Sequence, residues 1–357
     1  MKELGYYAPL PPAPTGVAQY AEALKNALAA HVKIVSDSDV NLYQIGNNPL
    51  HWPIYQQALR KPGVVLLHDA VLHHLLLGQL SREAYIEEFV YNYGEWFRGS
   101  ADLLWQRRAM SSADLRYFER PMLRRICEGA MKVIVHNPAA KRQVLEHAPQ
   151  AMVEILPHLY QQPRVFSYRE IDTYRAEVLK VAPEYCLFAV LGHLRESKRI
   201  DRVLEATESL KRQGLKAHLL VQGSWVGKDL ERALVPHIEH LRGFLSEEEW
   251  WLQAHAVDVV INLRWPLAGE SSGIATRLMG IGKPVIMTRS DETAAIPEAS
   301  AIKIGPGLTE QAELEHYMAW LAINADARRA IGRHAAIHTH DFHRIDKVAE
   351  ALLRMLN

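Results

Sequence analysis

The chain has 357 residues, enough for two domains of ordinary size that each bury a core. Its 41 basic and 41 acidic residues cancel, so no global field favours nucleic acid or an anionic membrane. Cys127 and Cys186 lie far apart in apolar stretches, which favours buried thiols in a reducing compartment over a disulfide. No stretch reaches the roughly 18 apolar residues of a spanning helix, and the first residues lack the apolar core of a signal peptide. We expect a soluble, cytoplasmic protein.

Short apolar runs rich in β-branched residues predict strands along the whole chain. In the first half the predicted strands are Leu4–Ala8, Val32–Ser36, Leu42–Ile45, Val64–Leu67, Val133–Val135 and Val153–Leu156. In the second half they are Cys186–Leu191, Ala217–Val221, Glu239–Leu241, Val257–Leu263, Pro284–Met287 and Ala301–Ile304.

Helices are predicted where apolar residues keep a 3.6-residue period or where capping signals occur. Gly16 opens an amphipathic helix to about Leu28 and is itself a candidate N-cap. Ser246 and Glu249 form a capping box, and a long, mostly helical region fills His74–Cys127. The chain finishes with predicted helices at Glu310–Ile323, Ala325–Ala336 and Ile345–Leu356.

This alternation predicts an α/β fold of two tandem Rossmann-like, doubly wound domains. The apolar pattern weakens and charges rise over 161–183, so we place the connection there. We expect an N-terminal domain over 1–165, a second domain over 166–340, and a C-terminal helix over 341–357 that can pack back on the first domain.

Polar loops follow four of the predicted strands, and the carboxyl ends of parallel strands are where α/β sheets bind ligands. In PLPPAPTGVAQY, Gly16 opens a helix whose N-terminus attracts phosphates, although a Pro-stiffened turn is the alternative. In LLHDAVLHH, His68 and Asp69 directly follow a buried strand. This position favours a ligand contact, and a solvated turn is the alternative. His73 and His74 are expected on the helix surface.

The other two loops carry the positive charges and the small residues. In LGHLRESKRIDRVLEA, a basic cluster follows the strand, which suits a diphosphate, with a solvated basic turn as the alternative. Its members are His193, Arg195, Lys198 and Arg199. In VDVVINLRWPLAGESSGIATRLMGIGKPVIMT, the strand is followed by a Pro-containing loop, then Glu270 and small residues, then a helix that ends near Gly282.

These segments resemble the retaining glycosyltransferases of family four, and they occur in the same order as in that family. Its members have the GT-B fold of two Rossmann domains facing across a cleft. PLPP…TGVAQY resembles their glycine-containing first loop, VVLLHD their acceptor-side strand and loop, and VIVHNPAAKR their step from strand to Ser or Asn. GHLRESKRID resembles their phosphate-binding G-R-L-x-x-x-K. GESSGIATRLMGIGKPV resembles their E-G-F-G-L…E-A-M-A-x-G-x-P-V nucleotide-sugar loop. The similarity spans nearly the whole chain.

The resemblance implies roles for particular residues. The implied catalytic residues are His68, Glu270 and Lys198. The implied contacts to donor diphosphate and sugar are Gly16, His193, Arg195, Lys198, Ser271, Ser272, Gly273 and Ile274. The implied acceptor-side residues are Asn47, Asp69, His136 and Asn137.

Two family residues are replaced. The arginine that directly follows the glycine is His193 here, so Arg195 is the candidate to share the diphosphate with Lys198. The second glutamate, a ribose ligand, is missing: Leu278 has its spacing from Glu270, and Arg277 takes its place counted back from the later glycine. Arg264 and Arg277 are therefore the nucleotide candidates.

The implied activity is metal-independent, retaining transfer of a hexose from a nucleotide-diphosphate sugar to a hydroxyl acceptor, in glycan or polysaccharide biosynthesis. The acceptor would attack on the leaving group's own face, so no enzymic nucleophile, cofactor or metal is required. The expected partners are the nucleotide sugar and a glycan or lipid-linked glycan, with no nucleic acid. The aromatic region Tyr85–Trp105 suits an acceptor groove. Nearby basic residues suit peripheral contact with the inner face of a membrane: Arg107, Arg108, Arg124 and Arg125.

Rival functions remain open. A GT-B protein that binds a nucleotide sugar without transferring it would fit the missing glutamate. GESSG also satisfies G-x-S-x-G, with Ser271 as a hydrolase nucleophile, Asp291 downstream and a histidine among His334, His338 and His340. Against this, RWPLA separates the strand from the motif. A NAD-dependent oxidoreductase would have a G-x-G-x-x-G after an early strand, and this sequence has none there. His334 and His338 share a helix face without the Glu of H-E-x-x-H, which favours a solvated helix end over a metal site.

Overall fold

The chain forms two compact α/β units. The computed structural model describes residues 2–13 and 15–356, so Met1, Pro14 of the first loop and Asn357 lie outside the described residues. The first unit comprises Met1–Leu159, Pro266–Ser271 and His343–Asn357, and the second comprises Tyr160–Trp265 and Ser272–Phe342. None of the helices in the described part of the chain has both the length and the apolar character needed to cross a bilayer.

The first unit contains a six-stranded sheet in which every pairing is parallel, in the order β2-β1-β3-β4-β5-β6. Its strands are β1 Glu3–Tyr7, β2 Lys33–Val35, β3 Asn41–Ile45, β4 Val64–Leu67, β5 Lys132–Val135 and β6 Val153–Ile155. Its helices before the connection are α1 Gly16–Ala29, α2 Trp52–Arg60, α3 His73–Gln79, α4 Arg82–Tyr93, α5 Arg98–Gln106, α6 Arg124–Gly129 and α7 Pro138–His147.

The second unit contains another six-stranded parallel sheet, in the order β12-β11-β10-β7-β8-β9. Its strands are β7 Cys186–Leu191, β8 Ala217–Gln222, β9 His240–Arg242, β10 Val259–Asn262, β11 Val285–Thr288 and β12 Ile302–Ile304. Its helices are α8 Tyr168–Thr173, α9 Ile200–Arg212, α10 Lys228–Leu234, α11 Glu247–Ala256, α12 Gly273–Gly280, α13 Glu310–Ile323 and α14 Ala325–Phe342. The last helix, α15 Ile345–Leu356, belongs to the first unit.

Both sheets are buried on two faces, which is why their strands are continuous apolar runs. In β4, Leu66 lies in the core beneath α1 and α15, whereas Val65 lies in the core beneath α2 to α7. In β7, Leu187 and Phe188 likewise enter opposite cores of the second unit. Alternation of side chains along each strand thus builds two helical layers around each sheet.

The predicted elements are present, and their ends differ for identifiable reasons. β10 begins at Val259 rather than Val257, because the Val257 N–H donates to Gln253 O and ends α11. Gly16 is the first residue of α1 rather than its N-cap, because the Thr15 hydroxyl accepts the Val17 N–H.

The connecting stretch 161–183 is more ordered than its composition predicts. It contains α8, which begins with a capping box between Ser167 and Glu170. Phe166, Tyr174 and Leu179 from this stretch are buried in the second unit's core. The predicted box at Ser246 forms only by half, because Ser246 Oγ accepts the Glu249 N–H while the Glu249 carboxylate accepts from Arg242 at 2.6 Å.

We expect Leu352→Ala to destabilise the first unit by about 2–5 kcal/mol, because Leu352 is fully buried among side chains of α1 and the sheet. Glu350→Ala, on the exposed side of the same helix, should change stability little. Urea unfolding followed by circular dichroism measures both. Equal midpoints for the two variants would mean that α15 adds nothing to this core.

Candidate active site

Two positions around the loop after β7 require glycine, one directly after β7 and one directly after β8. Gly192 has φ +100°, and a Cβ there would lie 2.2 Å from Ile274 Cδ1 in the first turn of α12. A Cβ on Gly223 would lie 1.7 Å from Gly192 O. The backbone after β7 therefore lies against the backbone after β8 and against the Ile274 side chain of α12.

Positive charges surround this loop. Lys198, only 3 % exposed, donates to Leu191 O at 2.7 Å, so its ammonium is held at the carboxyl end of β7. Burial, and then the charges of Arg195, Lys198 and Arg264, lower the pKa of His193. His193 is therefore neutral at pH 7, and the charged groups near it are Arg195, Lys198 and Arg264, which together form one cationic group.

The start of α12 completes this group. Ser272 caps the helix, since its Oγ accepts the Ala275 N–H at 3.2 Å and donates to Asn262 Oδ1 at the end of β10. Arg264 Nη2 also donates to Ser272 Oγ, at 3.3 Å, and the Arg264 N–H donates to Thr288 Oγ1. The N–H groups of the first helical turn, beginning at Gly273, lie next to these cations, and such an arrangement has the chemistry that suits an anion.

Two other arginines of the predicted set pack elsewhere in the second unit. The Arg277 guanidinium lies over Trp250 and Trp251, 4.1 and 4.3 Å from their ring centroids, and donates to Glu247 at 3.2 Å. Burial lowers the pKa of Arg277 to about 10, so it keeps its charge at pH 7. Arg199 pairs with a buried carboxylate of α13. Arg277 thus joins α12 to α11.

In the first unit, Asn47 and Asp69 tie the ends of β3 and β4 together. The Asn47 N–H donates to Asp69 Oδ2 at 2.7 Å, and Asn47 Oδ1 accepts the Leu75 N–H at 2.9 Å. Asn47 Nδ2 lies 3.2 Å from His74 Nδ1. These contacts show that the polar residues after β3 hold the loop in its conformation. Their role on the acceptor side stays a prediction.

His68 and His136 are buried in one continuous series of polar contacts, the histidine network. His136 Nε2 lies 3.2 Å from His68 Nδ1, and His68 Nε2 lies 3.0 Å from the Gln44 side chain. The Gln44 amide meets the Tyr6 hydroxyl at 2.5 Å. Backbone carbonyls stand at both ends of the network: Ala21 O accepts from the Tyr6 hydroxyl, and Leu156 O lies 2.9 Å from His136 Nδ1.

The histidine network has fewer protons than contacts. Its five contacts would each need one proton, but two neutral imidazoles, one end of the Gln44 amide and one hydroxyl supply only four, whichever tautomers are present. Burial lowers the pKa of His136 to about 4 and that of His68 well below its usual value. Both imidazoles are therefore neutral at pH 7, and both ring nitrogens of His68 are already engaged.

The N-terminus of α1 lies beside the histidine network. The Tyr20 ring packs on His68 and His136 at centroid distances of 4.8 and 5.4 Å. Gly16 stands one turn earlier, and a Cβ there would meet nothing within 4 Å. The fold itself does not require glycine at this position.

Glu270 belongs to the same unit as His68. The preceding Gly269 has φ +67°, and its Cβ would lie 2.5 Å from Ala70 Cβ. The following Ser271 accepts from Asn137 Nδ2 at 3.1 Å, while Asn137 Oδ1 caps α7. The segment Pro266–Ser271 is thus placed at the carboxyl ends of β4 and β5.

Ser271 lacks the setting of a hydrolase nucleophile. β10 ends at Asn262 and α12 begins at Gly273, so no sharp strand-to-helix elbow carries it. His340 is one of the three histidines considered as the base of such a hydrolase, and its Nε2 lies 3.1 Å from Gly280 O.

Sequence reasoning missed several residues that organise these loops. Gln44 and Asn262 are buried polar residues inside apolar strands, and that was the available signal. The expectation that His73 is surface-exposed is wrong. It is fully buried, bonded to Arg120 O and the Tyr85 hydroxyl, because α3 is covered by the helices that follow.

The basic residues of the aromatic region are mostly paired within the first unit. Arg124 pairs with Glu128 at 2.8 Å and Arg125 with Glu88, while Arg108 lies over the Trp105 ring. Trp96 is 82 % exposed.

We expect the unfolding free energy to fall as the pH falls from about 6.5 to 4. Burial lowers the folded-state pKa of His51 and His136 to about 4, so in this window only the unfolded chain takes up their protons. His51→Asn keeps a donor for Gln44 O and should reduce the slope by about 1.4 kcal/mol per pH unit. The exposed-site control His31→Gln should leave the slope unchanged. Urea titrations at several pH values measure it, and equal slopes for wild type and His51→Asn would contradict this assignment.

Comparison of the sequence with family models and with curated proteins gives no match. Solved structures match over the full chain. HepE from Anabaena, in complex with UDP-glucose, has a TM-score of 0.66 and 13 % identity, covering 100 % of this chain and 99 % of that one. Sucrose-phosphate synthase from Thermosynechococcus elongatus has a TM-score of 0.66 and 14 % identity, covering 99 % and 98 %. WaaG, a glycosyltransferase involved in lipopolysaccharide biosynthesis, has a TM-score of 0.63 and 15 % identity, covering 100 % of both chains. The predicted α/β fold is confirmed, and it is the GT-B fold of these glycosyltransferases.

Proposed function

We propose that the protein is a retaining glycosyltransferase that moves a hexose from a nucleoside-diphosphate sugar to a hydroxyl acceptor in glycan biosynthesis. The observation that carries the proposal is the cationic group of Arg195, Lys198 and Arg264 beside the start of α12. The GT-B fold supports it, because the matched structures include one that holds UDP-glucose. UDP is therefore the first nucleotide to test.

The diphosphate would be bound without a metal. Lys198 supplies a fixed point charge at the end of β7, and Arg195 and Arg264 supply guanidinium donors. Backbone N–H groups of Gly273 and Ile274 would meet the negative charge that develops as the sugar–phosphate bond breaks. Neutral His193 stands where the family has an arginine, and Arg195 would replace that charge.

Glu270 would contact the hydroxyls of the transferred sugar. Retention would follow if the acceptor hydroxyl attacks on the face the phosphate leaves and the phosphate takes its proton. No enzymic nucleophile is then needed. His68 would act by positioning rather than as a base, since Gln44 and His136 already occupy its ring nitrogens.

The acceptor and the cellular site are the finer parts of the proposal. Asn47, Asp69, His136 and Asn137 would hold the acceptor side, with a cytoplasmic enzyme at the inner face of a membrane when the acceptor is lipid-linked. WaaG, a glycosyltransferase involved in lipopolysaccharide biosynthesis, gives a precedent for a role in glycan synthesis. Exposed Trp96 suits such a contact better than the paired arginines do.

A catalytically silent nucleotide-sugar binder is the second candidate. It is favoured by one observation, namely that Arg277, which replaces the family's ribose glutamate, is packed against the rings of Trp250 and Trp251. Turnover of a labelled donor separates the two functions.

We expect Lys198→Met to weaken nucleoside-diphosphate binding roughly 10- to 100-fold, because a charge-assisted contact worth about 1.5–3 kcal/mol is lost. Lys216→Met, at the exposed amino end of β8, is the matched control and should bind normally. Isothermal titration calorimetry with UDP, GDP, ADP and dTDP measures both. If Lys198→Met binds as wild type does, the diphosphate site is elsewhere.

We expect the product to keep the donor's anomeric configuration and transfer to persist in excess chelator at a temperature where the protein is folded. Proton NMR of the product reads the configuration through its anomeric coupling.

Glu270→Gln should lower kcat by roughly 100-fold while leaving nucleotide affinity unchanged, as for a group that acts on the transferred sugar. An inverted product, loss of turnover with chelator, or full activity of Glu270→Gln would each refute one part of the mechanism.

A further inference from the structure

A second group of side chains, of the types that bind metal ions, lies at the amino ends of β8 and β9 in the second sheet. His218 is near the start of β8, and Glu239 and His240 stand at the start of β9, the edge strand. Leu220 pairs with His240, so His218, two residues earlier, projects on the same face of the sheet. The carboxyl ends of β7 and β10, which carry the anion site, are at the other end of these parallel strands.

The three side chains converge on a common point. His218 Nδ1 lies 3.2 Å from Glu239 Oε2 and 3.4 Å from His240 Nε2, and the three ligand atoms are all within 4.8 Å of one another. Ligands held about 2.1 Å from a tetrahedral zinc ion are roughly 3.4 Å apart along each edge. The two closest separations therefore match the edges of a zinc coordination shell.

The surroundings hold these side chains in place. The Tyr185 ring packs on the His218 ring at a centroid distance of 4.4 Å, and the two imidazoles meet edge-to-face at 4.9 Å. Lys211 Nζ donates to Glu239 Oε1 at 2.6 Å, which leaves Oε2 directed at the histidines. Such outer contacts orient metal ligands.

One positive charge lies beside the cluster. The ammonium of Lys211 opposes a cation, but it contacts Glu239 Oε1 rather than the Oε2 that faces His218.

We propose that His218, Glu239 and His240 form a binding site for a zinc-class divalent cation. Two imidazoles and one carboxylate are ligands that zinc takes, with water or a further ligand in the fourth position. The site is open to solvent, since the Glu239 side chain is about half exposed. It would join the edge strand β9 to β8 and stabilise the second unit rather than take part in group transfer.

The test measures zinc binding to the purified full-length chain by competition with a chromogenic chelator. We expect one zinc ion per chain in wild type, and at least tenfold weaker binding in His240→Ala, His218→Ala and Glu239→Gln. His237→Ala removes an exposed histidine that is not in the described cluster and is the matched control, with unchanged affinity. Circular dichroism of the zinc-free variants establishes that each is folded.

Cobalt(II) provides the second readout. A tetrahedral site of this composition gives d–d absorption bands that displacement by zinc removes, and His240→Ala should lose them. The proposal is overturned if wild type binds no zinc, or if His240→Ala binds zinc as tightly as His237→Ala does.

Discussion

The packing of the Gly192 backbone against the Ile274 side chain, in the first turn of α12, is the constraint on which the candidate site depends. Gly192 has a φ of +100°, and Ile274 Cδ1 occupies the space that a Cβ there would need. No Cβ fits at Gly223, because Gly192 O lies in its place. The loop after β7 and the helix after β10 are therefore adjacent even though 81 residues separate Gly192 from Gly273 in sequence. Their polar groups therefore lie together: Arg195 and Lys198 come from the loop after β7, whereas Arg264 and the backbone N–H groups of α12 come from the segment after β10.

Electrostatics explains why this arrangement suits a diphosphate. Lys198 is nearly buried, and its ammonium is satisfied in part by a backbone carbonyl, so its position is fixed before any ligand arrives. The cost of gathering cations is limited, because His193 stays neutral among them. An anion bound here would meet positive charge that needs little reorganisation, which is the condition for strong stabilisation of the phosphate leaving group that we propose.

The sequence predicted what depends on local pattern. Continuous apolar runs identified the strands of both sheets, and the residues after β4, β7 and β10 identified the loops that carry polar groups. Gly282 was expected to end α12, and its φ of +77° places it just past the C-cap Ile281, as in a Schellman motif.

What the sequence could not predict depends on packing between distant segments. Arg277 stays a nucleotide candidate, but its packing on Trp250 and Trp251, more than 25 residues earlier, follows from no local pattern. Burial of His73 depends on Arg120 and Tyr85, which no local pattern connects to it. The convergence of His218 with His240 likewise depends on the register of β8 and β9.

The most direct test of the diphosphate site compares calorimetric binding of a nucleoside, its monophosphate and its diphosphate to the wild-type chain. If the cationic group at Lys198 binds the leaving phosphates, affinity should rise with each phosphate, and the gain should shrink as salt is added. Equal affinity for the nucleoside and the diphosphate would contradict the assignment.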